Sequence, residues 1–152
     1  MAQAIGKRVG MALAARISLD HGPISEPLDI IKFLCKDFWN EVFGKSVDNL
    51  RTNHRGTFVL RDVHFAWLSG LHPPQTTRSD GGAPETAPGP TRAELARPYL
   101  WLPCAVLAGA LSALGLEVAS VTADASGLPQ IDFTINLLLA AAAGAGSSSV
   151  QA

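Results

Sequence analysis

The sequence predicts an α+β fold: a four-stranded antiparallel sheet packed against helices, in the order ααββ-insert-αββ. Three observations carry that expectation. Leu28–Phe43 places apolar residues at helical spacing, Gln130–Leu137 alternates strictly between apolar and polar residues, and Tyr99–Leu116 holds no charged side chain over the length of a whole helix. Strands paired by short connections, with helices set to one side, belong to this class rather than to a parallel, doubly wound one.

The elements follow in chain order. Ile5, Val9, Leu13 and Ile17 recur every fourth residue and form a stripe along one face of a first helix. Residues 1–19 carry Lys7, Arg8 and Arg16 but no acid, which weakly resembles a presequence. Gly10 and Arg16 interrupt the apolar stretch, so a docked amphipathic helix is the expectation. His21–Pro27 reads as a loop in which Ser25 caps the next helix and Pro27 enters its first turn. On that helix Ile31, Leu34, Cys35, Phe38 and Val42 make the apolar stripe, and Gly44 ends it as a left-handed residue. Ser46–Arg55 is polar and reads as an irregular connector. Thr57–Leu60 and Val63–Leu68 are rich in β-branched and aromatic residues and read as two strands turned at Arg61-Asp62.

His72–Pro98 contains six of the ten prolines and a Gly-Gly pair, so a disordered insert is expected there. Thr91–Arg97 can begin the following helix, with Pro98 breaking it. The uncharged run Tyr99–Leu116 approaches the ~20 apolar residues of a membrane span. Pro103 inside it, its many Ala and Gly residues and Glu117 directly after it favour a core helix. Gly115 can terminate that helix. Glu117–Ala123 reads as a strand, Gly127-Leu128-Pro129 as a turn, and Gln130–Leu137 as a strand burying Ile131, Phe133, Ile135 and Leu137. The domain is therefore expected at 1–137, with the insert at 72–98 and an Ala/Gly/Ser-rich tail at 138–152.

Composition narrows the function. The chain has 152 residues, 12 Lys and Arg against 13 Asp and Glu, and 47% hydrophobic content. That is one domain with one core. A net charge of -1 gives no drive toward nucleic acid. Two cysteines make neither a disulfide scaffold nor a four-ligand zinc site, so a reducing compartment is the default. All the Lys and Arg lie at or before Arg97, and only Glu117, Asp124 and Asp132 are charged after it.

The chemistry-bearing motifs are missing. No phosphate-cradling glycine loop, no nucleophile elbow and no metal-ligand spacing occurs. No catalytic, metal or cofactor site is expected. His64 is expected on a half-exposed strand, with a pairing to His72 as the functional alternative. Cys35 and Cys104 lie on apolar helix faces and read as inert buried thiols. The alternative for Cys104 is a contact in a small hydrophobic-ligand or acyl-binding channel, which needs a cavity of ~300 Å³ or more beside the core helix. The dense polar string Asp48-Asn49-Leu50-Arg51-Thr52-Asn53-His54 reads as a hydrogen-bonded connector, or as a loop on which Asp48, Arg51 and His54 converge.

That string also carries a resemblance. With Leu28-Asp29-Ile30, Cys35-Lys36-Asp37, Trp39, Gly56-Thr57, Val59-Leu60 and Asp62 it looks like a small subunit of the TRAPP (transport protein particle) tethering complex, nearest the subunit-six branch. Cys104, Gly109-Ala110-Leu111-Ser112, Leu114-Gly115-Leu116-Glu117, Pro129 and Phe133 continue the match in order. The resemblance implies a sheet-on-helices α+β fold, no enzyme activity and no cofactor. It implies a heterodimer with a related TRAPP small subunit inside a multisubunit complex that tethers vesicles in ER-to-Golgi and Golgi traffic. Contact with a Rab GTPase, and guanine-nucleotide exchange on it, would belong to the assembly. The location implied is cytoplasmic, peripheral at the Golgi and endoplasmic reticulum through the complex. Asp48, Asn49, Arg51, Asn53 and His54 are family-motif residues with a structural role; Ile5, Val9, Leu13 and Ile17 are the candidates for the partner interface. The chain departs from the pattern at Ala108, where the family has Arg, and at Ile131-Asp132, where it has Cys-Lys. A related subunit carries an acyl chain on a cysteine that no residue here matches.

Overall fold

The computed structural model describes residues 1–73 and 89–138. The expected insert and tail fall mainly at 74–88 and 139–152, outside the described residues. The fold is α+β. Its four strands are β1 (Asn49–Thr52), β2 (Thr57–Asp62), β3 (Val118–Asp124) and β4 (Ile131–Leu137), antiparallel in the order β1-β2-β4-β3.

The central strands explain the sheet. β4 buries Ile131, Phe133, Ile135 and Leu137, as the alternation requires, and β2 turns Phe58, Leu60 and Asp62 to the same side. Their register sets Phe58 opposite Ile135 and Leu60 opposite Phe133, so one apolar face is continuous. The other face is polar. Arg61 stands opposite Asp132 and donates two hydrogen bonds to it, at 2.8 and 2.7 Å. Thr57 Oγ1 donates to Asn136 Oδ1 at 2.9 Å.

The first hairpin differs from the expected one. Its strands are Asn49–Thr52 and Thr57–Asp62, and Val63–Leu68 is not a strand but ends in a 3-10 turn at Ala66–Leu68. Side chains take the amides that a ladder would need: Asp48 Oδ2 accepts from Val63 N at 2.8 Å, and Asp62 Oδ1 from His64 N at 3.0 Å. His64 is thus an exposed turn residue rather than a strand histidine. The polar string expected to be irregular supplies the edge strand β1. Asn53 Oδ1 closes its turn by accepting from Arg55 N and Thr57 N at 2.8 and 3.0 Å, with His54 at φ 57°.

The second helix is continuous but not uniform. It runs as α2 (Pro27–Phe33), a π-helical stretch at Leu34–Phe38, and α3 (Trp39–Phe43). The π stretch brings residues five apart onto one face. Phe33, Phe38 and Phe43, and Leu34 with Trp39, are accordingly buried. Cys35 and Val42 of the expected stripe are only half-buried. Glu26 rather than Ser25 occupies the N-cap, with no side-chain capping bond, and Pro27 takes the first position. Gly44 ends the run at φ 81°.

After the gap, Thr91 and Glu94 form a capping box for α4 (Arg92–Ala96), and a 3-10 turn at Arg97–Tyr99 leads to α5 (Trp101–Ala113). α5 buries Ala105, Val106, Leu107, Gly109, Ala110 and Leu111, so the uncharged run is the core helix. Among the described residues no single helix is long and apolar enough to cross a membrane. α1 (Ala2–Ile17) packs on α5 through Gly6, Gly10 and Ala14. The contact is backbone to backbone: a Cβ on Gly10 would overlap the Val106 carbonyl, and one on Gly109 the Lys7 carbonyl. The smallest side chains of α1 thus make its closest approach to α5, while Leu13 and Ile17 of the expected stripe pack against the core beside them.

Candidate partner interface

Docking through glycine leaves the apolar stripe of α1 partly unused. Ile5 is 58% exposed and Val9 43%. Leu13 and Ile17 are half-buried against the core, so the structure divides the four candidates into an outer pair and an inner pair. Met11, 45% exposed, lies on another side of α1, with Gln3 and Lys7. Sequence reasoning missed Met11 because it falls off the four-residue repeat. It also missed Trp101 and Tyr99, which are 40% and 57% exposed at the start of α5. A helix apolar all round gives no sequence signal for the face that stays open.

That open face lines a groove of about 940 Å³. Trp101, Cys104, Ala108 and Ser112 of α5 lie along it, between Gln3, Lys7 and Met11 of α1 and the length of β3. Ala108, where the resemblance leads one to expect Arg, contributes only a methyl group to its lining. Burial pushes the Cys104 thiol up to about 11 and the Cys35 thiol up to about 12. Both stay protonated at neutral pH and are poor nucleophiles. The groove meets the size required by the hydrophobic-ligand alternative, but this thiol is not an activated one.

The family-motif string lies at the surface, with Asp48, Asn49, Arg51, Asn53 and His54 exposed, and is joined to the core at one end, through Lys45 and Asp62. Asp62 is fully buried; Oδ2 accepts from Trp39 Nε1 at 2.9 Å and Oδ1 from Lys45 Nζ at 3.1 Å. Lys45 also pairs with Asp48, and that hydrogen bond above all, with the Val63 amide, holds the Asp48 carboxyl below its ordinary range. Asp48 and His54 stand at opposite ends of β1, on the order of 20 Å apart at ~3.3 Å per strand residue. They do not converge with Arg51, which is exposed on the strand between them. Asn49 begins β1, opposite Arg61. No group of three or more metal-ligating side chains occurs among the described residues.

Comparison with known proteins places this arrangement. Residues 3–137 match the family model described as transport protein particle (TRAPP) component. Trafficking protein particle complex subunit 6B of Mus musculus is 38% identical over 133 residues, 88% of this chain and 74% of that protein. Subunit 6A of Homo sapiens is 39% identical over 133 residues, with the same coverage of 88% and 74%. The crystal structure of a trafficking protein particle complex subunit 3 from Naegleria fowleri, covalently bound to palmitic acid, superposes with a TM-score of 0.63 at 15% identity, covering 90% of this chain and 77% of that one. At that identity the likeness concerns the fold.

Proposed function

The chain belongs to the TRAPP component family, and from that membership we propose that it is a non-catalytic structural subunit of a TRAPP-type vesicle-tethering complex, paired with a related small subunit as a heterodimer. Its relatives bear the names of complex subunits, not of enzymes. In this reading the chain works in ER-to-Golgi and Golgi traffic, held in the cytoplasm at those membranes through the complex. Its part in Rab guanine-nucleotide exchange is to support the assembled complex.

One observation carries the proposal: α1 satisfies its intramolecular packing with Gly6, Gly10 and Ala14 and still presents Ile5 and Val9, one turn apart, to solvent. An apolar pair one helical turn apart that the core leaves unused is a surface suited to a protein partner. Affinity capture of the tagged full chain tests it. The wild type should retain a related small subunit, and the Ile5→Asp/Val9→Asp double variant should lose it while keeping its helical circular dichroism. Leu13 is left intact because it packs against the core. Undiminished capture by the double variant would remove α1 from the interface.

A further inference from the structure

We propose that the free edge of β3 is a docking site for an extended segment of a partner chain, apolar at alternate positions and carrying an acidic side chain that meets Lys7 and Arg97. Among the described residues β3 pairs with β4 on one side only. Its other side opens on the groove, which is lined by six consecutive strand residues, Val118 to Ala123. Side chains of both parities line a groove only where it runs along the strand's edge, with the backbone donors and acceptors that an added strand can use.

The two edges of the sheet are treated differently. Proteins guard exposed edges with short strands, charges or prolines. β1 is guarded: it has four residues, with Arg51 on it and His54 and Arg55 just beyond. β3 has seven residues, contains no Lys, Arg or Pro, and meets charge only at its two ends, at Asp124 and the adjoining Glu117. Its one irregularity lies between Val118 and Ser120, at the start, and leaves Val121–Asp124 in regular register. A long edge with no charge along its middle is an aggregation hazard unless something covers it.

The groove also states the chemistry of its occupant. Trp101, Cys104 and Ala108 on α5 carry no charge and would receive one row of apolar side chains. Among the described residues, the charged ones that line it are Lys7, Arg97 and Glu117. Neither cation makes an ion pair among the described residues. An acidic group on the incoming segment would be complementary to that excess.

The reading of the chain as a complex subunit says where such a segment comes from, but the binding itself is tested on the isolated full chain, so the two fail separately. The probe is a fluorescein-labelled hexapeptide of alternating Val and Thr with an aspartate at its first position. It should bind saturably and shift the backbone amide resonances of 118–123. Thr122→Lys, an exposed position where lysine guards the edge, should weaken binding at least about tenfold with unchanged circular dichroism. Lys7→Glu/Arg97→Glu should weaken it several-fold, and Ile5→Asp/Val9→Asp should leave it unchanged. Absence of saturable binding at millimolar peptide, undiminished binding to Thr122→Lys, or self-association of the chain through β3 in sedimentation would each overturn the proposal.

Discussion

Asp62 has no exposed surface, and a carboxylate in that position is tolerated only with its oxygens engaged. Trp39 Nε1, Lys45 Nζ and the His64 amide engage them. Hydrogen bonds to a charged group contribute ~1.5–3 kcal/mol each, enough to hold Trp39 between Phe43 and Phe133, with ring centroids at 4.5 and 5.3 Å. Asp48 joins this network from the surface, through Lys45. Its folded pKa lies below its unfolded value, which is ~3.9. The stability it contributes is therefore complete above that value and is lost as pH falls through the folded one. Urea midpoints between about pH 6 and about pH 2.5 should drop more steeply for the wild type than for Asp48→Asn, whose side chain does not titrate. Parallel acid limbs would show that Asp48 gains nothing from Lys45.

At the scale of elements, the decisive contact is the crossing of α1 on α5. Alanine is the better helix former by ~1 kcal/mol, yet Gly10→Ala and Gly109→Ala should each destabilise. The added methyl meets a carbonyl of the facing helix, which cannot rotate away as a side chain could. The helices must part, at about 1–3 kcal/mol or more. Gly22→Ala, with open space around it, should stay within ~0.5 kcal/mol of wild type in the same urea titration. Equal effects at Gly10 and Gly22 would mean that the close approach is not what those glycines serve. The π stretch in the second helix has a comparable role. It turns Trp39 and Phe43 inward at the expense of Cys35 and Val42, and so places the tryptophan where Asp62 needs a donor.

For the whole molecule, α1 makes its core contact on one face and the proposed interface on another, so stability and assembly are separable in this reading. A partner that binds only the folded chain stabilises it by ~2.7 kcal/mol at a hundredfold excess over Kd. The Tm of the chain should therefore rise with partner concentration. Ile5→Asp/Val9→Asp should melt with the wild type when alone and lose that rise when the partner is added. A lower Tm of the free double variant would place those side chains in the core instead. Much of this was legible without a structure. Strict alternation set the buried face of β4, an uncharged run broken by Pro103 and followed by Glu117 pointed to the core helix α5, and the Asp48–His54 string marked the family. Each of these is a local pattern, written in consecutive residues. What the tertiary structure decided depends on partners distant in the chain. Val63–Leu68 has strand composition, but Asp48 and Asp62 take its amides. The Ile5–Ile17 stripe has docking periodicity, but Gly6 and Gly10 let a helix come closer than any isoleucine would. The open side of α5 could not be read from a helix with no polar face. It emerged only once α1 and β3 had taken their places beside it.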